Sequence, residues 1–114
     1  MNANGTDPDD MGALVVIATV PDDILAVKIS EALLQQRFAA RVHALPSGIS
    51  RYRWQGKIAT SAETMLIIKT SAGHYRDVEA EIVRHHSLEV PEIVALRICA
   101  GLQGYLKWID DETR

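Results

Sequence analysis

The chain has a single cysteine, Cys99, among 114 residues, so no internal disulfide can hold it together. One thiol and a polar, acidic opening segment give an expectation of a cytoplasmic protein. The longest apolar run, Ala13 to Val20, is far short of the roughly 20 residues that a membrane-spanning helix needs. Basic residues do not gather into a stripe, and the net charge is −3, which argues against nucleic acid as a partner. Gly101 and Gly104 have the wrong spacing for a phosphate-binding loop, and no Lys-Ser/Thr pair follows them. Aromatic residues are few, only 5% of the chain. Four of them fall into two pairs, Tyr52 with Trp54 and Tyr105 with Trp108.

Hydrophobic residues amount to 47%, enough for one compact core at this length. Residues 1–11 are polar and are expected to form a disordered tail, which leaves residues 12–112 as a single domain. Ala13 to Val20 is short and rich in β-branched residues, so it is expected to be a central strand. Pro21-Asp22-Asp23 ends it and opens a helix whose acidic first turn suits the helix dipole. Ile24, Leu25, Val27, Ile29, Leu33 and Leu34 recur at helical spacing as far as about Arg37.

A second strand starts at Ala40, is interrupted by a bulge or bend at Pro46-Ser47-Gly48, and runs to a tight turn at Gly56. A third strand returns through Met65 to Lys69. A second helix opens at Gly73-His74, with Tyr75, Val78, Ile82 and Val83 on one face, and closes at His85-His86-Ser87. Ile93 to Ile98 reads as a fourth strand and Leu102 to Ile109 as a short amphipathic helix. The order β-α-β-β-α-β plus a terminal helix is the ferredoxin-like arrangement, an α+β fold with one antiparallel sheet and two helices on one face. The hairpin arms are too long for one chain to cover, and the second sheet face is left bare. Packing against further copies of the chain is therefore expected.

Tyr52-Arg53-Trp54-Gln55-Gly56-Lys57, Glu63, His86, Glu89-Val90-Pro91-Glu92-Ile93 and Tyr105-Leu106-Lys107-Trp108 form an ordered series that resembles the CutA divalent-ion tolerance family. The resemblance covers about Ala13 to Asp110. It implies a tight homotrimer similar in architecture to the PII signalling proteins. It also implies tolerance of copper and other divalent cations, with copper binding in some members and no catalytic activity. The metal ligands it implies are Glu63 and His85, with His86 a weaker candidate, and the cofactor a divalent cation such as Cu²⁺ or Zn²⁺. The family's cysteine ligand aligns with Ala18, and a second family cysteine aligns with Arg41, so the thiolate that favours Cu(I) is missing.

Several plainer readings stand beside these. His85 and His86 suit the C-terminal end of a helix, where partial negative charge favours them. Glu63 is equally suited to a hydrogen-bonded strand position beside a subunit interface. His43 and His74 are expected at the surface, and Cys99 in a packed position. Tyr52, Trp54, Gly56, Lys57, Tyr105 and Trp108 are expected at the interface between copies, where Tyr and Trp are enriched. The same aromatic residues could stack on a planar ligand. Lys57, Lys69 and Arg53 could attract an anion, which makes a PII-like module binding an anionic metabolite or nucleotide the alternative function.

Overall fold

The computed structural model describes residues 12–114; the expected tail, residues 1–11, lies outside the described residues. β1 (Ala13–Val20), β2 (Arg41–Trp54), β3 (Lys57–Ser71) and β4 (Ile93–Arg97) form one antiparallel sheet in the order β2-β3-β1-β4. Helices α1 (Asp23–Gln35) and α2 (Tyr75–His85) are the two crossover elements, and α3 (Gln103–Glu112) follows β4. This is the α+β ferredoxin-like order expected from the sequence.

Local chemistry sets the element ends. The carboxylate of Asp22 accepts a hydrogen bond from the Leu25 amide at 2.8 Å and so caps α1. Arg37 ends that helix in the left-handed region, at φ 61°. The hairpin turn is the pair Gln55-Gly56, with φ of 50° and 78°, so both central residues have the positive φ that a twisted two-residue hairpin requires. Ser47, φ 62°, sits where the β2–β3 register slips between Leu45 and Gly48, at the expected interruption.

The two sheet faces differ. Val16, Ala18, Val20, Leu66 and Ile68 point under the helices and meet Ala26, Ile29, Leu33, Val78 and Ile82 in the core. On the opposite face the register aligns Ile17 with Ile67 and Val94, Val15 with Leu96, and Leu45 with Met65. There Leu45, Met65, Val94 and Leu96 are exposed, and no helix among the described residues covers them. The bare face read from the sequence is present.

Some expectations change. In α1 the buried residues are Ala26, Ile29 and Leu33, whereas Ile24, Val27 and Leu34 are exposed. The helix carries two apolar stripes, and the one containing the small Ala26 is the one that approaches the sheet. On α2, Val83 is exposed and Glu81 is buried in its place. Cys99 is exposed rather than packed, because β4 ends at Arg97 before reaching it. His74 is half-buried and bonded rather than a free surface residue.

Candidate functional site

β3 is longer than β1. Their pairing ends at Val20–Thr64, so among the described residues Lys57 to Glu63 run on with only β2 as a neighbour. At about 3.3 Å per residue this arm projects roughly 20 Å beyond the body of the sheet. Where it leaves the body, the hairpin and the segment between α2 and β4 enclose an open cavity of about 470 Å³. Ser50, Arg51, Tyr52, Trp54 and Glu63 line it from the hairpin, Leu88, Glu89, Val90 and Glu92 from the facing segment, and Thr19 from β1. That volume is in the range of small-molecule sites.

Strand alternation accounts for Thr19, Ser50, Tyr52, Trp54 and Glu63 in the lining, whereas Arg51 leaves β2 on the opposite face from Ser50 and Tyr52. Glu63 is two residues from Met65, and Thr19 two from Ile17, so the cavity opens on the bare face of the sheet. Opposite Glu63 the strand has just passed the slip at Leu45/Gly48, which places the Ser50 hydroxyl within reach. Ser50 Oγ donates to Glu63 Oε1 and fixes the carboxylate. Tyr52 and Ser61 share a hydroxyl–hydroxyl bond of 2.8 Å on the same side. The walls are therefore aromatic and the charged groups mostly acidic, with Arg51 as the cation.

The sequence profile of the CutA1 divalent ion tolerance protein matches residues 14–112. The chain belongs to the CutA divalent-ion tolerance family. It is 38% identical over 99 residues to the divalent-cation tolerance protein CutA of Thermus thermophilus, covering 87% of this chain and 96% of that one. The crystal structure of CutA from Xylella fastidiosa superposes with a TM-score of 0.88 at 40% identity, covering 90% of this chain and 99% of that one. A structure titled periplasmic divalent cation tolerance protein CutA, from Archaeoglobus fulgidus, gives 0.86 at 32% identity over 90% of this chain and 99% of that one. CutA membership supports a role in metal tolerance. The family is named for tolerance and not for a reaction.

Of the residues that CutA membership brings forward, the cavity gathers Glu63, Tyr52 and Trp54. His86 lies against it from behind. Its Nε2–H donates to the Thr19 carbonyl at 2.9 Å, and its Nδ1 accepts from the Leu88 amide at 3.2 Å. Both ring nitrogens are thus occupied in joining α2 to β1 and to the cavity wall. His85 is directed to the seam between α1 and α2, where its Nε2 meets Glu81 Oε2 at 2.9 Å. Glu81 also accepts from Gln36 Nε2 at 2.9 Å and from Arg84. These contacts, the Gln36 hydrogen bond foremost, hold the Glu81 carboxyl below its usual range against the opposing effect of burial.

Ala18 is fully buried, on the core side of β1 and on the opposite sheet face from Glu63. Among the described residues, no group of three or more His, Cys, Asp or Glu side chains is placed to hold a metal ion. Tyr105 and Trp108 stack on each other with centroids 5.6 Å apart. They belong to α3, beside the Ala13/Ser71 end of the sheet, at the far end of β3 from Tyr52 and Trp54. The residues that sequence reasoning missed in the cavity are Thr19, Ser50, Arg51, Leu88, Glu89, Val90 and Glu92. The Glu89-Val90-Pro91-Glu92 string carried part of the family resemblance without pointing to a cavity wall.

Proposed function

We propose that this chain acts without catalysis in divalent-cation tolerance, as a homotrimer whose subunit clefts receive the cation at Glu63. One observation supports the reading above the others: the Glu63 cavity and the exposed apolar side chains share the bare sheet face. Copies that cover that face also close the cavity and can add donors to it. The chain's own donors there are oxygens: the Glu63, Glu89 and Glu92 carboxylates and the Ser50 hydroxyl. Such a set suits a hard or borderline divalent cation such as Zn²⁺ or Cu²⁺ better than Cu(I). His85 is bonded to Glu81 and does not line the cavity, so its place in the site rests on the titration below.

Isothermal titration of the native assembly with Cu²⁺, Zn²⁺ and Cd²⁺, on wild type, Glu63→Gln and His85→Ala, tests the site. Saturable heat that Glu63→Gln abolishes is expected. Heat that neither substitution changes rejects it. The presence of Arg51 in the lining favours one second reading, a PII-like module that takes an anionic metabolite or nucleotide. That reading expects a thermal shift with nucleoside triphosphates that Arg51→Ala removes, and a flat screen rejects it.

A further inference from the structure

At the opposite end of the molecule from the cavity, three elements converge on the last turn of α3. Arg37, in its left-handed conformation after α1, donates from Nε to the Arg114 carbonyl at 2.9 Å and from Nη2 to the Asp111 carbonyl at 2.8 Å. His74, just before α2, places Nε2 2.6 Å from the Thr113 carbonyl oxygen. Its other ring nitrogen, Nδ1, is 2.9 Å from Asp77 Oδ2. The ring also lies against Phe38, with centroids 5.7 Å apart. Thr113 is buried and its hydroxyl bonds to Ser71, so the helix end is seated in the body.

The chemistry of the two His74 partners is decisive. A backbone carbonyl and an ionised carboxylate only accept hydrogen bonds. A neutral imidazole has one N–H and cannot serve both. We propose that His74 is a proton-dependent latch for α3, binding the Thr113 carbonyl as an imidazolium and releasing it on deprotonation. The remaining proton stays on Nδ1, facing the charged Asp77. The Nε2 lone pair then faces the Thr113 oxygen at contact distance, and the bond becomes a repulsion.

The charged groups around the latch are Asp77 on α2, Arg37 after α1, and Asp110, Asp111 and Arg114 at the end of α3. None of the acids or arginines is of a type that changes charge where imidazole ordinarily does. Release would loosen the helix that buries Ile109 and roofs a second cavity lined by Gly12, Ala13, Ser71, Ile98 and Leu106. It would also free the Tyr105–Trp108 pair to change its neighbours.

The test is amide hydrogen exchange on the full chain from about pH 5 to about pH 8, the interval over which imidazole ordinarily changes charge. Protection factors, corrected for intrinsic exchange, are read for α3 and for β1. In wild type the α3 protection is expected to fall about tenfold or more with rising pH, the scale of one hydrogen bond to a charged group, with β1 unchanged. Asp77→Asn supplies the control. An asparagine amide can donate to Nδ1, so a neutral His74 keeps its bond to Thr113 and α3 protection becomes flat. ¹⁵N spectra of the imidazole are expected to show both nitrogens protonated at the low end for wild type. Flat α3 protection in wild type, an equal fall in Asp77→Asn, or an unprotonated His74 Nδ1 while α3 is docked overturns the proposal.

Discussion

Along β3, Thr64, Leu66, Ile68 and Thr70 are buried, whereas Lys57, Ile58, Thr60 and Ala62 of the same strand are exposed. Both halves pair with β2 in one antiparallel ladder. Only the inner half also has β1 beside it and helices above it. The inner half is thus determined within the chain: its side chains fill a core, and burial of each large one is worth about 1.5–3 kcal/mol. The outer half has backbone pairing but no core. A lone two-stranded hairpin is at best marginally stable in water. Its Ile49, Trp54 and Ile58 are exposed, and under the proposed trimer they are the groups that further copies would cover.

Substitutions on the two halves should separate these regimes. The largest effect belongs to Leu66→Ala, expected to destabilise the fold by about 2–5 kcal/mol in urea or thermal unfolding. Ile58→Ala, by contrast, should leave the stability of an isolated subunit nearly unchanged. A core-sized loss there in a demonstrably monomeric sample would break the contrast. Next comes Trp54→Ala, expected to weaken assembly by about 2 kcal/mol or more while leaving the far-ultraviolet dichroism of the subunit intact. An unchanged association constant would remove Trp54 from the interface.

Gly56→Ala should cost about 1–2 kcal/mol, because an alanine at φ 78° is strained whatever space surrounds it. Gln55→Gly should act in the opposite direction, by about 0.5–1 kcal/mol, in the same unfolding experiment. The smallest effect is the pH dependence of the α1–α2 seam. The folded-state pKa of Glu81 is lowered from its ordinary 4.5, so its contribution is fully present above that value. It is lost as pH falls through the lower folded-state pKa. Urea midpoints should therefore drop below about pH 4.5 more steeply in wild type than in Glu81→Gln. Equal slopes would show that the Gln36–Glu81–Arg84 contacts do not favour the charged carboxylate.

The same division explains what could be read in the sequence. Element order, the Pro46-Ser47-Gly48 slip and the Gly56 turn are local signals, and each is where the residues put it. The choice between the two apolar stripes of α1 was not local. Ile24 and Val27 are as apolar as Ile29, and only contact with the sheet selects the stripe that includes Ala26. The same holds for His74, whose partner Thr113 is 39 residues away. At the site, Glu63 carries a family pattern, but its Ser50 partner depends on the register slip, and the wall from Leu88 to Glu92 depends on where α2 ends. His85 and His86 are adjacent in sequence yet turn to different sides, because α2 ends at His85 and His86 already has extended backbone. Spacing alone gave no means of telling that one joins Glu81 and the other Thr19.

Sedimentation equilibrium of the wild-type chain at micromolar concentration tests the central claim, that the hairpin arm and the bare sheet face are completed by further copies. A single species at three times the subunit mass of 12.6 kDa is the expected result. A stable, well-behaved 12.6 kDa particle would contradict it and leave the Glu63 cavity open to solvent on one side.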